Sequence, residues 1–330
     1  VIWNKALPVI NGAFSPDGGP KANYTTNLNM CETSNKGFEL ALNTRNIITK
    51  NFTWSSSVTF NHNKEKITKL SGGDSDVLNN GDTGYALALG EAINSYYHYK
   101  LDGVWQKGEE TDAAVFGAAP GDLKINIPNL VKESDGRFYK IDEETGSAAV
   151  DENGNVIYYT SDNKYTPSDA DYQILGHNSP DWSLGFQNNF TWKDFDLSVF
   201  VYARYGQMFA YDMLTSYDPK GIRNFPTYFN YWTENNPSND FPAANANKGL
   251  EQYTGYYALR YVDGSFIKIK NITLGYSLPK SILKSAGIEK CRFYATITNP
   301  FVFAKSHLLK DYDPETVSYT HLRAHETVLD

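Results

Sequence analysis

His321 and His325 stand four residues apart, a spacing that places two imidazoles on one helical face and could hold zinc. The surrounding tail offers no regular element to carry them. Asp151, Asn153, Asn155 and Asp162 partly imitate a calcium loop, but Gly154 is misplaced for its sharp turn, and a plain hairpin turn is expected instead. The carboxylate pairs Glu109-Glu110 and Glu143-Glu144 could in principle serve as hydrolase acid and base, but read as solvated loop charges. No G-x-S-x-G elbow, Walker loop, dinucleotide glycine pattern or H-E-x-x-H occurs. No catalytic residue, metal or cofactor is therefore expected, and the chain is not read as an enzyme. Aromatics in polar segments are the remaining candidates. Flat rings pack on sugar rings or peptide side chains while a hydroxyl or indole N–H finds a polar partner. Tyr96, Tyr97, Tyr231 and Trp232 are the residues proposed for substrate contact, among neighbours that include Tyr99, Tyr158, Tyr159, Tyr211, Tyr217, Tyr228 and Phe229. The bland alternative is that these rings hold the loops together.

The composition narrows what could position such residues. Aromatics make up 15% of the 330 residues, with 24 Tyr, 18 Phe and 6 Trp, but only 3 Met. The mean hydropathy is −0.50. That mixture suits amphipathic strands and turns better than a large packed core. A net charge of −8 without a dense Lys/Arg run argues against a nucleic-acid partner. No stretch approaches the roughly 20 apolar residues of a membrane-spanning helix. Cys31 and Cys291 are too few and too far apart for a disulfide framework. The sequence opens at Val1-Ile2-Trp3 and reads as a fragment, so a missing export signal is no argument against export.

Period-two alternation is the dominant pattern, and it comes in hairpins. Phe38, Leu40 and Leu42 alternate with Glu39, Ala41 and Asn43; beyond a turn at Lys50-Asn51, Phe52, Trp54, Val58 and Phe60 alternate with Thr53, Ser55, Ser57, Thr59 and Asn61. Leu184, Phe186, Phe190 and Trp192 form a second row, joined through Lys193-Asp194 to Phe195, Leu197, Val199, Val201 and Ala203. A third pair joins residues near 265–278 to 291–303 through the longer turn Pro279–Lys290. Its first strand changes phase between Ile269 and Ile272, which a bulge near Lys270-Asn271 would explain.

Such strands run to about ten residues, the length a tilted membrane strand needs. Phe52, Trp54, Phe190, Trp192 and Phe195 crowd the short turns, where an interfacial girdle would sit. Segments of about 63–182 and 206–262 are long, polar and turn-rich. Short turns at one end and long loops at the other are the habit of outer-membrane barrels. Parity requires zero or two full crossings within 63–182, and zero is expected. The fold is read as all-β, part of an antiparallel transmembrane β-barrel, with apolar rows facing hydrocarbon and their Ser, Thr and Asn neighbours meeting water.

Several runs resemble the SusC/RagA family of TonB-dependent outer-membrane transporters, nutrient importers of Bacteroidetes. The most specific runs from Asp263-Gly264-Ser265-Phe266-Ile267-Lys268-Ile269-Lys270-Asn271 to Ile272-Thr273-Leu274-Gly275-Tyr276-Ser277-Leu278-Pro279 and is similar to the family's signature near the C-terminus. Asn35-Lys36-Gly37-Phe38-Glu39-Leu40, Tyr99-Lys100-Leu101-Asp102-Gly103-Val104-Trp105-Gln106, Pro120-Gly121-Asp122-Leu123-Lys124, Tyr231-Trp232-Thr233-Glu234-Asn235-Asn236-Pro237 continuing to Phe241-Pro242, and Asp311-Tyr312-Asp313-Pro314-Glu315 resemble further family motifs, in the right order. The resemblance covers roughly 1–315, as the C-terminal part of a receptor barrel. Residues 316–330 depart from it and read like a translated sequencing adapter. The compact Asp/Asn/Gly run usual after Gly121-Asp122 is spread over 126–171 here, which puts any calcium there in doubt.

The resemblance implies a 22-stranded barrel with a plugged lumen in the bacterial outer membrane. It implies import of a glycan or peptide oligomer, with a SusD-like surface lipoprotein as lid. TonB would act through a plug encoded upstream of this segment. The expected partners are thus that lipoprotein, TonB, the oligosaccharide or peptide and outer-membrane lipid. Rival readings are a secreted all-β glycan-binding domain, with its aromatic face buried against a second sheet, and a passive porin.

Overall fold

A computed structural model describes residues 2–6, 25–29, 31–70, 77–80, 85–216, 220, 227, 229–285, 287–309 and 312–317. His321, His325, Tyr217, Tyr228 and nearly all of the 316–330 tail lie outside the described residues.

Six strands form one antiparallel sheet: β1 Cys31–Ile48, β2 Phe52–Leu70, β3 Trp182–Trp192, β4 Phe195–Tyr205, β5 Phe266–Ser277 and β6 Arg292–Ala304. Their spatial order repeats their chain order, so the sheet is a meander. The turns explain the tight ends. Thr49 accepts the Phe52 N–H on its hydroxyl and donates to the Phe52 carbonyl. Lys193, at φ 54°, reverses the chain between β3 and β4 in two residues. The Pro279–Lys290 connection holds a short helix, Lys280–Ser285.

Strands β2 and β3 pair directly from Phe52↔Trp192 to His62↔Trp182, although 111 residues of chain separate Leu70 from Trp182. None of the connection therefore crosses in the wall between them, as parity allowed. The bulge falls where the phase change placed it. Pairing skips Lys270 between Ile269 and Asn271, so Lys270 and Asn271 both turn to the polar face while Ile269 and Ile272 keep to the apolar one.

Cross-strand register joins the apolar residues into continuous rows, such as Leu42–Val58–Phe186–Val201–Ile269–Phe301. Among the described residues no second sheet covers these rows: Leu42 is 50% exposed, Leu274 53%, Ile297 58% and Phe303 61%. A sandwich would bury such a face; a membrane barrel turns it to lipid. Around the turns, Trp54 stacks on Phe190 at 5.8 Å and Phe195 meets Tyr276 at 4.7 Å, closing the expected aromatic girdle.

The first hairpin is longer than its apolar rows. β1 and β2 run to 18 and 19 residues, and their extra length carries Glu32, Lys36, Lys64, Glu65, Lys66 and Lys69. Alternation marks the lipid-facing part of a strand, whereas the hydrogen-bond ladder continues beyond it among mostly charged side chains, with Ile67 buried against the loop segment at Gly90-Glu91. The strand expected to end near Asn61 therefore continues to Leu70. No helix among the described residues is long and apolar enough to cross a membrane.

Candidate functional site

The two long connections fold into a single body at the end of the wall opposite the short turns. Its small sheets include the order Gln173–His177, Ser95–His98, Tyr85–Ala88, Val77–Asn80, and the pair Met208–Ala210 with Tyr261–Asp263. A hydrophobic cluster draws on both connections, with Val104 and Leu123 from the first and Phe209, Trp232, Phe241 and Tyr256 from the second.

Motifs far apart in sequence meet here. Trp232 donates its indole N–H to Gln106 Oε1 at 2.9 Å, and Gln106 Nε2 donates to the Val104 carbonyl at 2.7 Å and to Asn239 Oδ1 at 3.0 Å. Asn239 Oδ1 also accepts the Val104 N–H at 3.1 Å, over Gly103. Gly121, at φ +96°, lets the backbone approach the Trp232 ring so closely that an added Cβ would lie 2.8 Å from it. Its carbonyl accepts from Ala243 N at 2.7 Å, and Asp122 beside it pairs with Lys248. Three sequence motifs are thus one another's structural partners.

The proposed contact residues divide by strand geometry. Adjacent residues of an extended segment point to opposite sides. Tyr96 points into the body, 4% exposed, between Tyr85 and Tyr261 at 4.9 and 5.0 Å, while Tyr97 on the other face is half-buried. Trp232 is 8% exposed in the core, and its neighbour Tyr231 is 42% exposed. Burial leaves Tyr96 and Trp232 no free ring face, so in this arrangement they hold the body together. Tyr99, Tyr211 and Phe229 are buried as well.

Residues that sequence reasoning did not single out complete the surface. His98 stacks on Tyr172 at 4.8 Å, and Tyr172 meets the edges of Tyr97 and Tyr99 at 5.6 and 4.7 Å. His98 Nδ1 accepts the Tyr99 N–H at 2.8 Å, a bond that needs the neutral ring. Burial, assisted by the Arg260 charge, lowers the His98 pKa to about 4. Beside this cluster, a concavity of about 420 Å³ is lined by Tyr99, Leu101, Gln173, Asn239, Asp240 and Tyr261. Aromatic rings beside amide and carboxylate groups suit an oligomer with both flat and polar parts. No spacing rule links positions 98, 172 and 261, so the sequence carried no signal for this grouping.

The other chemistry candidates are engaged locally. Asp151 accepts the N–H groups of Asn153 and Asn155, closing the hairpin turn. Glu109 accepts from Lys124, Glu110 from Gly108 N, and Glu143 from Asn129. A buried polar set ties Lys140 to the Tyr165–Asp171 segment. Lys140 and Tyr165 both donate to Asp171 Oδ1 at 2.6 Å, and Ser168 N donates to Oδ2 at 2.9 Å. Those bonds lower the Asp171 pKa against the opposing effect of burial, which is the largest single contribution.

No family model matches the chain. It is 30% identical over 285 residues to TonB-dependent receptor P3 of Formosa agariphila, an alignment covering 83% of this chain and 25% of the relative. TonB-dependent receptor SusC of Bacteroides thetaiotaomicron is 27% identical over 324 residues, 96% of this chain and 27% of its own length. The fold agrees: the structure of the RagAB peptide transporter matches with a TM-score of 0.61 at 22% identity, over 88% of this chain and 28% of that one. The chain belongs to the SusC/RagA-like TonB-dependent receptors. It spans 25% to 30% of the length of the curated TonB-dependent receptors it matches. In this receptor the six-strand sheet is a section of barrel wall, and its polar face is the lumen side.

Proposed function

We propose that this chain supplies wall, inner lining and extracellular loops of an outer-membrane importer of nutrient oligomers, glycan or peptide. A SusD-like lipoprotein covers its loop end, and TonB energises it through a part of the receptor outside this segment. We assign residues 1–315 to the barrel, with loops at about 63–182 and 206–262, and take 316–330 as foreign to it. One observation carries the reading: apolar rows left open along the wall, with a single loop body gathered at one end. Tyr97 and Tyr231 are the proposed contacts that keep exposed ring surface, and the concavity beside His98 is the place proposed for the oligomer.

The test is uptake of fluorescent glycan and peptide oligomers by cells carrying or lacking the complete receptor gene. Uptake that needs both the receptor and TonB supports the proposal. Uptake that persists without TonB would instead mark a passive pore. Surface binding of a glycan without entry would favour a binding domain.

A further inference from the structure

The bulge in β5 has a chemical effect on the lumen side. Lys268 and Lys270 both face the polar side of the wall, and Asn271 joins them because the bulge turns two consecutive residues inward. The Lys268 side chain is only 2% exposed. A desolvated ammonium is costly unless paired. Its partners come from beyond β6. Lys268 Nζ lies 2.5 Å from Asp313 Oδ2 and 2.9 Å from Glu315 Oε2, and Lys270 Nζ lies 2.7 Å from Glu315 Oε1.

The carboxylates arrive in a prepared geometry. Asp313 Oδ1 accepts the Glu315 N–H at 3.1 Å, which turns both side chains toward the wall, and Pro314 between them is fully buried. The chain leading there is anchored along its way. Lys305 N donates to the Ser265 carbonyl at 2.8 Å, Leu309 is 1% exposed in the loop-body core, and the Tyr312 ring lies 4.6 Å from Tyr211.

We propose that Lys305–Leu309 and Tyr312–Glu315 belong to one strap, docked on the inner face of the wall by a clamp of two lysines and two carboxylates. It lines the conduit instead of swinging free above it. Undocking would separate Lys268 and Lys270 from both of their counter-charges, so the docked state is the resting one. The clamp also balances two positive charges with two negative ones. An oligomer passing this level therefore meets a neutral lining, not a pair of free ammonium groups.

Amide hydrogen exchange on the purified complete receptor tests this, read by mass spectrometry over residues 312–315. Lys268→Met is expected to speed exchange there roughly tenfold or more, while strands Trp182–Tyr205 exchange as before. Lys268→Arg keeps the charge and is expected to stay within about twofold of the parent. The double variant Asp313→Asn, Glu315→Gln opens the strap from the other side and reads the same amides should Lys268→Met fail to assemble. Parent-like protection in either charge-removing variant that assembles would overturn the proposal.

Discussion

Ser56 donates its hydroxyl proton to the side-chain oxygen of Asn188 across 2.8 Å, in the middle of the apolar face of the wall. Trp54 Nε1 donates to the same oxygen at 3.0 Å, and Asn46 Nδ2 reaches Ser56 Oγ at 2.7 Å. A polar side chain facing hydrocarbon must satisfy itself, and this network does so across three strands. Asn188→Ala would leave the Trp54 and Ser56 donors without their acceptor. The expected cost is about 0.6–2 kcal/mol, measured by denaturant unfolding of the complete receptor in detergent. A variant as stable as the parent would show that the network contributes nothing.

Gly121 is where the first loop touches the second. Gly121→Ala demands a positive φ of an alanine and pushes a methyl into Trp232. Overpacking costs about 1–3 kcal/mol, with about 1–2 kcal/mol more for the left-handed backbone. Loop-body amides near Trp232 and Gln106 should lose protection while the wall strands keep theirs.

The loop body should loosen in acid. His98 has its pKa lowered from 6.5 to about 4, so the folded body favours the neutral ring. That contribution is complete above pH 6.5 and is lost progressively as pH falls toward 4. Asp169 opposes this shift and Arg260 reinforces it. Hydrogen exchange of residues 95–99 between pH 7 and pH 4, corrected for the intrinsic rate, should show protection falling. His98→Phe keeps a ring on Tyr172 and should flatten that dependence.

Two pairs of neighbouring aromatics should behave in opposite ways. Tyr96→Ala and Trp232→Ala remove core rings and should destabilise the loop body by about 3–5 kcal/mol. Tyr97→Ala and Tyr231→Ala should leave its stability within about 1 kcal/mol. If those two rings contact substrate, each is worth about 0.5–1.5 kcal/mol of binding, a two- to tenfold weaker oligomer affinity by titration. Unchanged affinity in both would remove them as contacts.

The wall was legible in the amino-acid order because lipid on one side and water on the other impose a period of two, residue by residue. Rows such as Phe186–Val201 and the phase change at Lys270 followed from that local constraint, whereas parity left zero or two crossings open and the pairing of β2 with β3 decided for none between them. Ser56 and Asn188 break the alternation, and only their pairing explains how the apolar face tolerates them. The ends of β1 and β2 were not legible, since beyond the lipid no continuous apolar face is imposed and the one buried position, Ile67, packs on a distant loop segment. The loop body was opaque for a related reason. Its contacts join residues over a hundred positions apart, Gln106 to Trp232 or His98 to Tyr261, and no periodicity records them. Sequence alone thus determined which residues meet hydrocarbon. Only the tertiary structure decided which aromatics became core and which kept exposed surface, because burial depends on what the rest of the chain brings to the other side.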